Sequence, residues 1–110
     1  MIFTRYHIEL AYENGMRDFS ALDLSGSDLT GVIFYFVDFT RANLTDVNLF
    51  RAMLIGVNFY RANLKGANLT WANLSCTNMI NANLYGANFY KTNITNIVFN
   101  ADQRRSKWKS

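Results

Sequence analysis

A large apolar residue occupies every fifth position of this 110-residue chain between residues 19 and 99. Because half of the residues are hydrophobic, seventeen such residues in one register would occur by chance with a probability of about 10⁻⁵. The register comprises Phe19, Leu24, Leu29, Phe34, Phe39, Leu44, Leu49, Leu54, Phe59, Leu64, Leu69, Leu74, Met79, Leu84, Phe89, Ile94 and Phe99. This five-residue period governs which folds the chain can adopt.

A period of five fits neither of the regular secondary structures. Five steps along an α-helix turn a side chain through about 500°, so successive large residues would spiral around the helix axis. Five steps along a flat strand place successive side chains on opposite faces. All of the large side chains can point inward only if the chain turns in every repeat. Five glycines lie two residues after a large residue, where a left-handed turn residue would fall. They are Gly26, Gly31, Gly56, Gly66 and Gly86.

Several repeats are nearly identical, among them RANLT at 41–45, GANLT at 66–70 and NANLY at 81–85. They resemble the pentapeptide-repeat family, whose motif is A(D/N)LXX. The resemblance covers residues 17–101 and implies an all-β fold, a right-handed quadrilateral parallel β-helix. About four coils of about twenty residues each are then expected.

The segment from Leu10 to Phe19 also resembles the N-terminal cap of family members. It predicts a short helix over residues 2–14 that ends at Gly15. We therefore divide the chain into an N-terminal cap at 1–16, the β-helix at 17–101 and a basic C-terminal tail at 102–110.

The residue before each large one is Asp or Asn in fourteen of the seventeen repeats, and the exceptions are Ile33, Met53 and Val98. Stacking of residues twenty apart would align these side chains into columns. Their amides can then bond one another or the turn backbone. The abundant asparagine is therefore interpreted as structural.

No pattern in the sequence indicates catalysis. His7 has no motif that pairs it with a nucleophile, and Cys76 has no sequence neighbour that would activate its thiol. One cysteine and one histidine cannot form a zinc site from Cys and His ligands. The uninterrupted five-residue phase leaves no loop for catalytic side chains. We predict a protein that is not an enzyme and that uses no metal or cofactor.

Two groups of outward residues are candidate sites. The first, the cation–aromatic column, comprises Arg51, Trp71 and Lys91, with Phe50 and Tyr90 beside it. Such a column can stack on single-stranded nucleic acid, but a cation–π ladder within the rod is the favoured interpretation.

The second group, the apolar patch, is the candidate interaction surface. It comprises Ile33, Tyr35, Phe36, Met53 and Ile55. Contiguous exposed apolar surface usually marks an interface. Two explanations stay open: the N-terminal segment, with Ile2, Phe3 and Ile8, covers the patch, or a protein partner or second copy of the chain binds it.

The C-terminal end of the rod is a third candidate. Ile97, Val98 and Phe99 are followed only by a short charged tail, and an open coil end is a sheet edge that invites pairing. The resemblance implies dimerisation through C-terminal coils, so these residues are a candidate association end for a homodimer.

The charge of the chain changes sign along its length. The first 50 residues contain three basic and seven acidic residues, whereas the rest contain eight basic and one acidic. This polarity permits head-to-tail association. Family members that mimic DNA towards type II topoisomerases are long acidic rods, whereas this chain is short and carries a net charge of +3. Such mimicry, or weak nucleic-acid binding by the basic half, is the alternative function.

The favoured function is a structural or protein-interaction module that presents a rigid β-helical surface. No run approaches the roughly 20 apolar residues of a membrane span, and the N-terminus lacks a signal-peptide pattern. We expect a cytoplasmic protein whose partner is another protein or a second copy, rather than nucleic acid or a membrane.

Overall fold

The computed structural model describes residues 3–100 of the chain. Its one helix in this range, α1, spans Arg5–Glu13, within the range predicted from the sequence. The Thr4 hydroxyl accepts a hydrogen bond from the backbone N–H of His7, and His7 Nδ1 accepts one from the backbone N–H of Thr4 at 3.2 Å. This reciprocal capping box begins the helix, and Gly15, with φ of +92°, follows its end.

Parallel β-bridges connect the rest of the described chain into a β-helix. Thirteen bridges each join one residue to the residue twenty positions later, from Asp18 with Asp38 to Asn78 with Val98. Short backbone hydrogen bonds accompany each bridge, such as Phe19 N–H to the Asp38 carbonyl at 2.8 Å. Twenty residues, or four repeats, therefore complete one coil.

Each repeat ends in a β-turn whose third residue has a left-handed backbone. The N–H of Ala42, for example, donates to the Phe39 carbonyl at 2.9 Å, and Arg41 between them has φ of 58°. The five glycines predicted at this position have φ between 69° and 73°, and eleven residues other than glycine share the conformation. A left-handed residue other than glycine costs roughly 1–2 kcal/mol. The inter-coil hydrogen bonds on both sides of each turn hold it in place.

The large register forms the core. Its members from Phe19 to Phe89 are at most 8% exposed, whereas Ile94 in the final coil is 41% exposed. Phenylalanines twenty residues apart stack: the ring centroids of Phe19 and Phe39 lie 6.0 Å apart, and those of Phe39 and Phe59 lie 5.7 Å apart.

The Asp and Asn side chains before the large residues mainly bond the turn backbone of their own repeat. Asn43 Oδ1 accepts from the backbone N–H of Thr45 at 3.1 Å and from its hydroxyl at 2.7 Å. Within residues 3–100, only Asn68 and Asn48 of this register bond each other, at 3.4 Å. Of the two arrangements expected from the sequence, the local turn bond therefore dominates.

Three acidic members of this register are held in the ionised form. The hydroxyl of Ser20 donates to Asp18 Oδ1 at 2.6 Å and its backbone N–H donates at 3.0 Å. These two bonds hold the pKa of Asp18 below its ordinary value. Asp23 and Asp28 have lowered pKa values for the same reasons, the hydroxyl two residues later acting first and its N–H second.

We predict that these carboxylates contribute to acid stability. A lowered folded-state pKa gives stabilisation that is complete above the ordinary value of about 3.9 and is lost as the pH falls through the folded-state values. The triple variant D18N/D23N/D28N keeps the Oδ1 acceptor but cannot titrate. Its urea midpoint should fall less than that of the wild type below about pH 4. An equal fall in the urea midpoint of the two proteins below about pH 4 would contradict the prediction.

Helix α1 lies against the first coil. Ile8 is 2% exposed, and the Tyr12 ring centroid lies 5.2 Å from that of Phe34. Arg5 donates to the Thr30 carbonyl at 2.7 Å. No helix among residues 3–100 has the length and apolarity needed to cross a bilayer.

Tyr12 also replaces a missing acceptor. Position 33 is isoleucine where most repeats have Asp or Asn, so Ile33 cannot bond the N–H two residues later. The Tyr12 hydroxyl accepts that N–H, from Tyr35, at 3.1 Å. The helix therefore completes a turn that its own repeat cannot.

Candidate interaction surface

The cation–aromatic column forms at one corner of the coil. Gly31, Arg51 and Trp71 donate their backbone N–H groups to residues of the following coil at 2.8 to 3.0 Å, which places residues 31, 51, 71 and 91 in register. Arg51 Cζ lies 5.3 Å from the Trp71 ring centroid and 5.4 Å from that of Phe50. Lys91 Nζ lies 5.7 Å from the Tyr90 ring centroid. The Arg51–Trp71 pair is thus a cation–π contact between neighbouring coils, worth about 0.5–1 kcal/mol at an exposed site, whereas Lys91 lies beside its sequence neighbour Tyr90.

The apolar patch forms on the first two coils. A bridge joins Ile33 to Met53, and the Phe36 N–H donates to the Ile55 carbonyl at 3.0 Å. Phe36 is 71% exposed and Ile33 is 54% exposed. Tyr35, Met53 and Ile55 are half-buried.

The N-terminal segment does not cover the centre of this patch. Ile8 is buried in the core, and Phe3 packs against that core. Of the segment's side chains, Tyr12 bonds the backbone of Tyr35, yet Ile33 and Phe36 stay exposed. The described part of the N-terminal segment therefore leaves Ile33 and Phe36 exposed, and Ile2 lies outside the described residues.

Phe36 is held in an unusual position for a bulky residue. It has a left-handed φ of 59°, which is uncommon for residues other than Gly, Asn and Asp. A Cβ atom placed on Gly56 would lie 2.5 Å from the Phe36 ring. The ring therefore lies against the backbone of Gly56, where the lack of a side chain makes room for it.

The column and the patch form one surface, which the sequence interpretation treated as two. Residues 31–36 and 51–56 run along the same side of consecutive coils, because the chain is in register at both ends of these segments. We call this surface the composite face. It comprises Ile33, Tyr35, Phe36, Arg51, Met53, Ile55, Trp71 and Lys91. The signal in the sequence was the twenty-residue spacing, which aligns both groups.

Acidic residues of α1 border the N-terminal end of the composite face. A cavity of about 290 Å³ is lined by Glu9, Tyr12, Glu13, Gly31, Ile33 and Phe34. Glu9 accepts from Arg5 Nε at 2.7 Å, whereas the Glu13 side chain is exposed. The face is therefore bordered by acidic residues at its N-terminal end, and its basic residues, Arg51 and Lys91, lie in the second and fourth coils.

The candidate association end lies in the final described coil. Val98 is 54% exposed, and Ile97 and Phe99 are partly buried against the core. The basic tail at 102–110 lies outside the described residues. The association of this end therefore stays a prediction.

The other residues considered for chemistry lie apart. His7 forms part of the capping box of α1, and Cys76 is an exposed thiol at a left-handed turn. Within residues 3–100, no three His, Cys, Asp or Glu residues are grouped so that they could hold a metal ion.

Comparisons with known proteins agree with this geometry. A family model described as pentapeptide repeats, which contains eight copies of the repeat, matches this chain over residues 18–46, 42–75 and 62–100. A crystal structure of a pentapeptide repeat protein from the cyanobacterium Cyanothece 51142 is 35% identical, with a TM-score of 0.75 over 77% of this chain and 58% of that one. No curated protein matches.

A second solved structure is a pentapeptide repeat protein from the thylakoid lumen of Arabidopsis thaliana. It is 27% identical, with a TM-score of 0.72 over 88% of this chain and 62% of that one. This chain thus spans about three fifths of the length of both solved structures.

Proposed function

Since this chain belongs to the pentapeptide-repeat family, we propose that it is a non-enzymatic interaction module that presents the composite face to a protein partner. It folds as a right-handed β-helix, as proteins of this family do. Our proposal extends this to about four coils, with α1 as the cap of the N-terminal edge and the remainder after residue 101 as a tail. We also propose a cytoplasmic location, because a single cysteine suits a reducing compartment.

The observation that carries this function is the exposure of the apolar patch on a rigid scaffold. Ile33 and Met53 occupy positions where Asp or Asn would bond the turn, so both repeats forgo that bond. Phe36 is more exposed than any other large hydrophobic residue among residues 3–100. Because the bridged coils hold these side chains in place, a partner would bind with little ordering of the surface.

The nucleic-acid alternative has weaker support. Arg51 and Lys91 already lie beside aromatic rings of the rod. Seven of the eight acidic residues lie within the first 50 residues, so the later coils have no acidic face. A long acidic face along the rod is what such mimicry requires.

The test is affinity capture from the native cell with immobilised protein and two matched variants. Phe36→Ser removes the most exposed ring of the patch. Tyr85→Ser removes a ring that is 57% exposed but lies half a coil away from the Tyr35 and Ile55 column. A protein partner should be captured by the wild type and by Tyr85→Ser, and lost with Phe36→Ser.

Two outcomes would contradict the proposal. One is equal capture by Phe36→Ser, with both variants folded by circular dichroism. The other is capture of nucleic acid whose affinity falls steeply between about 50 and 200 mM salt, as phosphate contacts require. That second result would favour the alternative.

A further inference from the structure

A cavity lies between α1 and the first coil, and we call it the cap cavity. It has a volume of about 260 Å³ and is lined by six apolar residues and His7. Ile8 and Ala11 line it from α1, and Phe19 and Leu22 line it from the first coil. Ile8 and Phe19 are at most 2% exposed, so the cap cavity adjoins the end of the hydrophobic core.

A small residue on α1 leaves this space open. Ala11 comes three residues after Ile8 and therefore lies on the same side of the helix, where it is partly buried against the core. Its methyl group fills less of the space beside the first coil than the longer side chain of Ile8 does. Native cores contain few voids larger than a water molecule, so a space of this size at the end of the core is unusual.

The lining decides what the cap cavity can hold. A buried water molecule needs two to four polar partners, and His7 has the one polar side chain among the described lining residues. An apolar cavity of about 150 Å³ stays dry and takes up benzene, and the cap cavity is larger. A charged ligand would lose its hydration without gaining a counter-charge. The cavity therefore suits an uncharged, compact apolar molecule.

His7 adds a hydrogen-bond donor to this apolar lining. Its Nδ1 accepts from the backbone N–H of Thr4 at 3.2 Å, so the neutral ring carries its proton on Nε2. That N–H has no hydrogen-bond partner among residues 3–100. His7 and Met16 are the exposed members of the lining, which places them where the cavity meets solvent. A ligand with one acceptor atom at its outer end can therefore bond His7 while its apolar part lies inside.

We propose that the cap cavity binds a small uncharged aromatic molecule that carries one hydrogen-bond acceptor, such as an aryl ketone. The site goes beyond the proposed interaction module, because none of its lining residues belongs to the composite face. The rings of Phe3 and Phe19 and the sulfur of Met16 favour an aromatic ligand. Mostly apolar walls with a single polar group are typical of small-molecule sites.

Two probes of similar size test the site and its donor. Acetophenone and ethylbenzene differ in that a carbonyl replaces a methylene group. Both should bind the wild type saturably in calorimetry and raise its melting temperature, because they bind the folded state alone. His7→Glu keeps a capping box with Thr4 but removes the donor. It should weaken acetophenone binding by about fivefold and leave ethylbenzene binding unchanged. Absence of saturable acetophenone binding, or equal weakening of both probes, would overturn the proposal.

Filling the space tests the location. Ala11→Leu should weaken the binding of both probes by about tenfold or more, because a ligand would then overpack the cavity. Leu22→Phe fills it from the first coil and serves if Ala11→Leu does not fold. Glu13→Leu is the control, since it places the same side chain on α1 outside the lining and should leave binding unchanged. A folded Ala11→Leu protein that binds both probes as tightly as the wild type would refute the site.

The competing occupant is the chain itself, because Ile2 directly precedes Phe3 of the lining. Ile2→Gly removes that side chain. Equal acetophenone binding by Ile2→Gly and the wild type supports an external ligand. Binding by Ile2→Gly alone would mean that the N-terminal residues fill the cavity, and this result would overturn the proposal.

Discussion

Phe39→Ala is expected to lower the free energy of unfolding by about 3–5 kcal/mol. Phe39 is fully buried, and its ring lies within 6.3 Å, between centroids, of the rings of Phe19, Phe34 and Phe59. Adjacent Asp38 is bridged to both neighbouring coils. The backbone therefore cannot collapse into the space that the ring leaves, so the cavity persists.

Phe36→Ala is the matched control for this prediction. The same side chain is removed three residues earlier, from a position that is 71% exposed. Its effect should stay within about 0.5 kcal/mol. Urea unfolding followed by circular dichroism measures both variants. If Phe39→Ala and Phe36→Ala lower the free energy of unfolding by similar amounts, burial in the aromatic stack does not govern stability.

Thr77→Val is expected to raise the free energy of unfolding by about 1–2 kcal/mol. Thr77 is 1% exposed and belongs to the small inward register, in which Val57 precedes it by one coil. Its hydroxyl oxygen is buried without a hydrogen-bond partner within the described residues. Valine keeps the branched shape and removes the unpaired polar atom.

Thr92→Val, at an equivalent inward position, is expected to lower the free energy of unfolding. The Thr92 hydroxyl donates to the Leu69 carbonyl at 2.7 Å, so valine removes a formed bond and should cost about 1 kcal/mol. Thermal and urea unfolding of both variants would measure the two changes. If both substitutions change stability in the same direction, the pairing of the hydroxyl is not the cause.

The composite face links stability to function at Phe36. Its ring can be removed with little expected effect on folding, yet the proposed function makes it essential for binding the partner. Loss of binding with unchanged unfolding would separate the two roles. Such separation is characteristic of a residue kept for a surface contact.

The five-residue period was sufficient to predict the core register, whereas the twenty-residue spacing of the coils was implied by the resemblance to the pentapeptide-repeat family. It was also sufficient for the left-handed turns at the glycines, of which Gly26 and Gly56 are examples. The reason is that each repeat has nearly the same environment as the one stacked on it. A local pattern that recurs seventeen times therefore identifies the inward residues of every repeat.

The sequence did not reveal that residues such as Arg41 and Trp71 would adopt the left-handed conformation as glycine does. Local propensity disfavours it, and only the hydrogen bonds from the coils on either side impose it. For the same reason, the unpaired hydroxyl of Thr77 and the paired one of Thr92 look alike in the sequence.

By itself the sequence determined the repeat, the inward register and the reversal of charge along the chain, because all three are written in residue order. Only the tertiary structure decided where α1 lies, that Tyr12 completes the turn at Tyr35, and that Ile33 and Phe36 stay exposed. These features depend on contacts between residues that are far apart in the chain and do not follow the period. The breaks in the repeat at Ile33 and Met53 pointed to the candidate site, but only the position of α1 decided how much of it stays exposed.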